Sequence, residues 1–422
     1  MKIRSLHIPL RIWTWLLVTL TVTSCGGTLP ARISTPASQT ATITYAFPDD
    51  PASTDEATKL IEAYQAANPT IQIKPQPLPA SEYAQQLLTQ VHNNALDLFV
   101  STDTQIPALL NNKALLNLQP LLPKTSKVLP TDFQAPALIP WQRSGALYGF
   151  PTDVVPLVLF YNQDLFDANQ IPYPASNWTW EAWKAAATKL TVSAGGHVTR
   201  YGTALSEWSA MIWGNGGELL NADNTRTLID SAEAAAGVQF AADMVNVQKV
   251  APLPQAAGGP DPVELFKQQK VAMLPASSSV ASSFLQAKLP FRWAIAPFPA
   301  GVRSAARLSV SGLAISANSK QPSSALDFAT WAVGPDGQAI RAAIQPFAAP
   351  ALRASGQRPT QVAGAEAIAQ ALQTGRTLPQ VEQWPKIASI VNESLVPVWQ
   401  GKQTAADAYH QVVPKIDALL GG

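Results

Sequence analysis

The side chains best placed to bind or transform a small molecule are carboxylates at the ends of predicted strands. Asp49 and Asp50 follow the stretch ITYAF, Asp103 follows LDLFVS, and Asp153 precedes the apolar run VVPLVLF. Ligands of open α/β sheets collect beyond the carboxyl ends of strands, so these positions predict a binding site. A glycosidase needs two carboxyl groups about 5–9.5 Å apart across the bond it cleaves. The adjacent residues Asp49 and Asp50 suit that geometry poorly, because neighbours at a strand end rarely face one target.

Other catalytic patterns are missing from the sequence. The four histidines, His7, His92, His197 and His410, have no partner four residues along the chain, so the HExxH zinc helix is absent. Neither GxSxG nor the phosphate-binding loop GxxxxGK[ST] occurs, and the stretch GNGG is too short for a dinucleotide fingerprint. We therefore predict a protein that is not an enzyme and has no metal, nucleotide or redox cofactor. A secreted glycoside hydrolase is the alternative, and product formation from an oligosaccharide would reveal it.

The elements that must position the carboxylates alternate between strands and helices. ITYAF, TIQIKP and LDLFVS predict three strands, separated by helices over 53–68 and 81–94. This β-α-β-α-β order predicts a parallel sheet with right-handed crossovers. Ser53 and Glu56 have the spacing of a capping box and predict the start of the first helix.

The same alternation continues in the rest of the chain. A helix over 177–191 is predicted to begin after Thr179 as N-cap, and a helix over 230–247 carries Asp230 and Glu233 at capping-box spacing. AMLPASSS, WAIAPFPAG and SVSGLAIS predict further strands, and the C-terminal tail predicts helices. The run VVPLVLF predicts a strand buried on both faces, since burial on one face gives alternation.

Length and charge narrow the class of protein. The 422 residues suit two packed domains. Lys and Arg number 29 against 28 Asp and Glu, and removing Lys2, Arg4 and Arg11 of the N-terminal segment leaves 26 basic against 28 acidic residues. Nucleic-acid binding needs clustered Lys and Arg, so we predict none.

The N-terminus predicts a targeting segment. Three basic residues precede or border the uncharged stretch from Ile12 to Ser24, which is too short for a membrane-spanning helix and suits a secretory signal peptide over 1–24. It ends in VTSC, which resembles the lipobox of bacterial lipoproteins. Cys25 is the single cysteine and is the predicted lipidation site. Residues 25–42 are rich in Gly, Pro, Ser, Thr and Ala and predict a flexible tether.

Six stretches occur in an order typical of one family. They are LYGFPTDVVPLVLFYNQDLF, NWTWEAWKAAATKL, MIWGNGGELLNAD, LFKQQKVAMLPASSS, WAIAPFPAG and GLAISANSKQPSSALDFATWAVGPDGQ. Together they resemble the extracellular solute-binding proteins of ABC transporters, in the branch that captures sugars and oligosaccharides and includes the maltose-binding proteins. The resemblance extends from about residue 43 to the C-terminus.

The resemblance implies an α/β fold of the two-lobed periplasmic-binding-protein type, with the ligand cleft between the lobes. Lobe I would comprise 43–153 with 302–346, and lobe II 156–299 with 350–422. The chain would cross between lobes at Val154 to Pro156, where a proline is tolerated because the crossing is not the middle of a sheet. Further crossings would fall near 299–301 and 346–350.

The resemblance also implies which residues contact a sugar. Planar polar side chains can bond vicinal hydroxyls, and aromatic rings can pack against the C–H faces of a pyranose. The matched positions, each of which also has a structural interpretation such as core packing or loop capping, are Asp49, Asp50, Asp103, Asp153, Trp208, Trp213, Asn215, Ser277, Ser278, Ser311 and Gly312. We expect Asp153 and Trp213 to hold the ligand from opposite lobes and to lie outside the core.

The implied partners are a small solute, an ABC permease and the membrane through Cys25. We expect a monomer on the extracytoplasmic side of a bacterial membrane. A receptor of the same fold for a solute other than a sugar is the alternative within binding proteins.

Overall fold

The computed structural model describes residues 41–122, 128–205, 207–356 and 361–421. The predicted signal peptide, Cys25 and all but the last two residues of the tether lie outside this range. In the described part no helix has both the length and the apolar character needed to cross a membrane.

The described residues form strands and helices that alternate as the sequence predicts. The strands are β1 (Ala41–Asp49), β2 (Ile71–Pro79), β3 (Leu98–Thr102), β4 (Gln142–Arg143), β5 (Ala146–Leu147), β6 (Phe150–Asn162), β7 (Val192–Ala194), β8 (His197–Arg200), β9 (Met273–Ser277), β10 (Trp293–Pro297), β11 (Leu308–Ile315) and β12 (Ala349–Pro350). The helices are α1 (Pro51–Ala67), α2 (Tyr83–His92), α3 (Ile106–Asn111), α4 (Ala135–Leu138), α5 (Gln163–Ala168), α6 (Trp180–Leu190), α7 (Trp208–Gly214), α8 (Ala232–Asn246), α9 (Pro262–Lys267), α10 (Val280–Ala287), α11 (Pro322–Val333), α12 (Pro335–Ile344), α13 (Glu366–Thr374), α14 (Trp384–Trp399) and α15 (Ala405–Leu420).

The first three strands form the predicted parallel sheet. β1 lies between β2 and β3, and both pairings are parallel. β11 joins β3 antiparallel, with Ser311 opposite Thr102, and continues the sheet to β6. Because β11 runs antiparallel to β3, its N-terminal half lies beside the carboxyl end of β3.

Strand β6 is shared by two parts of the sheet. Residues 150–156 pair with β11 on one side, and β12 pairs with the other side at residues 153–154. Residues 157–162 pair instead with β9 and β10. The change of partners falls at Pro156, whose missing N–H is therefore not needed in either ladder. The strand itself is continuous, so the predicted crossing is a change of pairing partners within one strand.

Two hydrophobic clusters cover the two faces of β6. Val158 and Phe160 belong to a cluster with the side chains of β1, β3 and α11. Leu159 and Tyr161 belong to a second cluster with those of α6, α7, α8, α14 and α15. Burial on both faces accounts for the uninterrupted apolar run, as predicted.

Two of the three helix starts predicted from capping patterns are wrong. Asp50 caps α1, because its Oδ1 accepts hydrogen bonds from the backbone N–H groups of Ala52 and Ser53 at 3.1 and 3.0 Å. The capping box at Ser53 therefore does not form, and the Glu56 side chain has another partner. Similarly, Ser231 and not its acidic neighbour caps α8.

The third predicted helix start is confirmed. Thr179 caps α6 by accepting a hydrogen bond from the backbone N–H of Ala182 at 3.2 Å. The two wrong assignments share a cause. In a sequence a capping box is recognised by spacing alone, and near both predicted helix starts a second polar residue within three positions could serve as the cap.

Candidate functional site

A polar chamber of about 220 Å³ lies at the carboxyl ends of β1 and β3, against β6 and β11. It brings together three residues predicted from the sequence: Asp153, Ser311 and Gly312. Its walls are Tyr45, Phe47, Pro48, Ser53, Glu56, Val100, Thr102, Thr152, Asp153, Ser311, Gly312, Leu313, Arg341 and Gln345.

A buried ionic cluster forms one wall of the chamber. Arg341 is fully buried, and its Nε lies 2.8 Å from Glu56 Oε1 and 3.6 Å from Asp153 Oδ2. Gln345 donates a hydrogen bond to the second oxygen of Glu56 at 2.8 Å. Burial raises the pKa of Glu56, and the Arg341 guanidinium opposes that rise. The cluster fixes Asp153 next to the point at which β6 changes partners, and it places this residue in the interior, contrary to the expected surface position.

Ser311 and Gly312 shape the strand that closes the chamber. The register of β11 against β6 shifts between these two residues. A Cβ atom at Gly312 would lie 2.3 Å from the Trp141 ring and 2.5 Å from the Phe150 carbonyl oxygen, so glycine is required by packing. Ser311 is half-buried and presents a hydroxyl to the chamber.

Asp103, next to the chamber residue Thr102, is a buried carboxylate with an unsatisfied oxygen. The residue is 1% exposed. Its Oδ1 accepts one long hydrogen bond, 3.3 Å, from the Val310 N–H. Its Oδ2 is buried and has no hydrogen-bond partner among the residues that the structure describes. Burial raises the pKa of Asp103 to about 6, although the nearby Arg307 guanidinium lowers it.

A second ion pair lies near Asp103. Arg307, which precedes β11, has its Nε 3.3 Å from Oε1 of Glu207, the residue that precedes α7. The same Glu207 oxygen accepts a 2.8 Å hydrogen bond from the Ser209 hydroxyl. Both Arg307 and Glu207 act electrostatically on Asp103, so the N-terminal end of α7 is brought near the end of β3. Sequence reasoning missed this pair, since neither residue belongs to a motif.

The carboxyl end of β1 also carries acidic residues close to the end of β3. The parallel pairing of Tyr45 with Leu98 and of Ala46 with Phe99 brings Asp49 level with the end of β3. Asp49 is exposed, whereas Asp50 is engaged as the cap of α1. Only the first of these two carboxylates is thus left without a structural role among the contacts described.

The two predicted tryptophans lie in the interior and not in the chamber. Trp208 is 8% exposed and donates its indole N–H to Asn392 at 2.9 Å. Trp213 is 2% exposed, and the Arg376 guanidinium lies 5.2 Å from its ring centre. Trp213 lines a separate cavity of about 400 Å³ with Glu218. The expectation that Trp213 lies outside the core is therefore wrong.

The remaining predicted residues lie apart from the chamber. Asn215 is the residue that follows α7; its side-chain amide donates to the Glu233 carbonyl at 2.8 Å, and it lines a third cavity of about 330 Å³. Ser277 is exposed and bonded to a neighbouring serine. Ser278 is fully buried and donates its hydroxyl to the Phe347 carbonyl at 2.6 Å.

Of the eleven predicted positions, Asp153, Ser311 and Gly312 line the chamber and the other eight do not. Glu56 and Arg341 are the charged chamber residues that sequence reasoning missed, because their pairing joins positions 285 apart. The described residues contain no group of three or more His, Cys, Asp or Glu side chains arranged to hold a metal ion. The arrangement therefore supplies acceptors, one buried cation and hydroxyl groups for non-covalent binding.

The chain belongs to the bacterial extracellular solute-binding proteins, whose family model matches residues 50–339. The chain is 24% identical over 371 residues to a protein of Brucella abortus (strain 2308) that is named as a binding protein. The aligned residues cover 85% of this chain and 88% of the relative. The family is one of binding proteins that act outside the cytoplasm, as predicted.

Solved structures share the fold over 90% of this chain. An ABC substrate-binding protein from Listeria monocytogenes, in complex with cycloalternan, superposes with a TM-score of 0.80 at 26% identity over 99% of its length. A sugar-binding protein from Xanthomonas citri gives 0.79 at 21% identity over 98% of its length. A cyclic alpha-maltosyl-1,6-maltose binding protein from Arthrobacter globiformis gives 0.75 at 18% identity over 100%. The predicted two-lobed α/β fold is confirmed.

Proposed function

We propose that this protein is a lipid-anchored receptor that binds a sugar or oligosaccharide between two closing lobes and delivers it to the permease of an ABC importer. The observation that carries the proposal is Asp103, a buried carboxylate at a strand end whose Oδ2 has no hydrogen-bond partner among the described residues. A buried acceptor left unsatisfied destabilises the protein by about 1–3 kcal/mol. Such a group is retained where a ligand supplies the missing donor.

The surrounding chemistry suits a polyhydroxylated ligand. Thr102 and Ser311 present hydroxyls and Asp153 a carboxylate to the chamber, and Asp103 follows Thr102 in the chain without itself lining the chamber. A pyranose hydroxyl both donates and accepts, so it can satisfy the carboxylate and bond a neighbouring hydroxyl at the same time. The chamber is smaller than the ~300–1,000 Å³ of ordinary ligand pockets, which suits one sugar unit with the rest of the ligand outside.

The lobes that close on the ligand are proposed as 43–153 with 302–346 and 156–299 with 350–422. The change of partners along β6 supports this division, because it falls at Pro156. Closure would move the two lobes about β6 as the hinge, and Glu207 at the start of α7 already lies close enough to act electrostatically on Asp103. Anchoring through Cys25, action as a monomer and release to a permease complete the proposal, which agrees with the saccharides named for the solved relatives.

A screen of mono- and oligosaccharides by thermal shift, followed by calorimetry on the hits, tests the proposed function. A ligand at a hundred times its Kd adds about 2.7 kcal/mol of stability. Asp103→Ala should weaken binding roughly tenfold to a hundredfold, as expected for the loss of a hydrogen bond to a charged group. Asp230→Ala, which removes an exposed carboxylate elsewhere, is the matched control and should bind like the wild type. Turnover of a saccharide, or binding that is equal in both variants, would contradict the proposal.

A further inference from the structure

Charge is unevenly distributed around the candidate site. The carboxylates at the strand ends, in the chamber and at the start of α7 outnumber the guanidinium groups that accompany them by six to two. The six carboxylates are Asp49, Asp50, Glu56, Asp103, Asp153 and Glu207, and the two cations are Arg307 and Arg341. Over the chain beyond the targeting segment, 28 acidic residues nearly balance 26 basic ones, so the excess is local.

Both cations already have a carboxylate within ion-pair distance, although Arg307 Nε and Arg341 Nη2 are buried without a hydrogen-bond partner among the described residues. Arg341 lies against Glu56 and Asp153. Arg307 lies against Glu207 and also donates to the Ser309 hydroxyl at 2.6 Å. Arg376, whose backbone pairs with that of Arg307, has its guanidinium on Glu218 at 2.7 Å. Asp103 therefore has no cation within ion-pair distance among the described residues.

We propose that the ligand carries a protonated amine, as an aminosugar does, and that this ammonium group binds Asp103. The inference rests on the proposed function and names the class of saccharide. A neutral hydroxyl offers Asp103 one donor, whereas an ammonium group offers three donors and the missing positive charge. Uronic acids and phosphorylated sugars should be rejected, because they would add negative charge to a site that already has an excess.

The protonation of Asp103 provides an independent readout. Burial raises the pKa of Asp103 to about 6, and a cation beside the carboxylate would lower it again. Binding of an amine at pH 6 should therefore release protons from Asp103. The amine itself stays protonated there, since even an α-amino group titrates at about 7.7–8.0. Its affinity should fall roughly tenfold from pH 7 to pH 5, because each unit below the pKa of the carboxylate lowers its ionised fraction about tenfold.

Calorimetry with matched sugars tests the inference. The probes are glucose and glucosamine, galactose and galactosamine, mannose and mannosamine, and the disaccharides of each, with glucuronate as the acidic counterpart. In at least one pair the amine should bind roughly tenfold to a hundredfold more tightly than the hydroxyl form, the range expected for a charge-assisted hydrogen bond. Titrations at pH 6 in buffers of different ionisation enthalpy should detect proton release for the amine.

Two variants test whether the Asp103 carboxylate causes the preference for an amine. Asp103→Asn should abolish the preference for the amine, whereas Asp230→Asn should retain it. If Asp103→Asn fails to fold, proton release by the wild-type protein remains decisive. Tighter binding of the neutral or acidic sugars, or amine binding without proton release, would overturn the inference and leave the sugar receptor standing. Failure of every saccharide to bind would overturn both.

Discussion

The pH dependence of stability in the ligand-free protein follows directly from Asp103. Its pKa rises from the usual 3.8 to about 6 because the carboxylate is buried without adequate partners. The folded protein therefore holds the proton more tightly than the unfolded chain. The stability that this group contributes is fully present below pH 3.8 and is lost as the pH rises through 6. We expect Asp103→Asn, which is neutral at every pH, to lack this loss.

The size of the effect follows from the pKa. A shift of about two units at about 1.36 kcal/mol each gives a loss of about 3 kcal/mol for the wild type between pH 3.5 and pH 7, relative to the variant. The comparison uses the change with pH and not the difference at one pH. The introduced amide can leave its own N–H unsatisfied, and that effect is the same at each pH.

The assay is denaturant unfolding of the two proteins at pH 3.5, 4.5, 5.5 and 7. The difference in free energy of unfolding should move in favour of Asp103→Asn as the pH rises, with its steepest change between pH 4 and pH 6. Asp230→Asn should run parallel to the wild type within about 0.5 kcal/mol, as expected for an exposed position. A difference that stays constant with pH, or that moves in favour of the wild type, would refute the argument that Asp103 is buried without a partner.

Three further predictions concern other positions. Arg341→Met should lower the free energy of unfolding by about 3–5 kcal/mol, because it leaves two buried carboxylates without their cation; a loss below 1 kcal/mol in denaturant unfolding would contradict the ionic cluster. Trp213→Ala should also lower it by about 3–5 kcal/mol, since the side chain is buried in the second hydrophobic cluster; unchanged stability would mean that the ring is a surface ligand contact instead. Cys25→Ala should lose acyl labelling in cells, and labelling of the variant would exclude this residue as the anchor.

The architecture of the sheet was predictable where the signals are local. The apolar runs that flank Asp103 and Asp153 predicted buried strands, and the alternation of strands with helices predicted the parallel pairing of β1, β2 and β3. The change of partners along β6 could not be predicted, because it depends on four strands from distant parts of the sequence. Pro156 was the one local sign of it, and its placement between the two ladders answers why a buried strand tolerates a proline.

Some residues of the candidate site could be predicted from the sequence, but the contacts between distant residues could not. The rule that ligands collect at the carboxyl ends of strands selected Asp103 and, with the family resemblance, the residues around the chamber. The rule could not reveal that Asp103 Oδ2 lacks a hydrogen-bond donor, because this depends on how the distant strand β11 packs against the end of β3. Glu56 was misassigned to a capping box because its actual partner lies on α12, far along the chain. Trp213 resembled a ligand contact because it precedes a glycine-rich turn, yet its side chain is buried in the second hydrophobic cluster.

The most direct test of the central claim is a crystal structure of the protein with a saccharide identified by the screen. We expect a sugar unit between the two lobes, with a hydroxyl or ammonium group about 2.7–3.0 Å from Asp103 Oδ2. A ligand bound elsewhere, with that oxygen still lacking a donor, would contradict it.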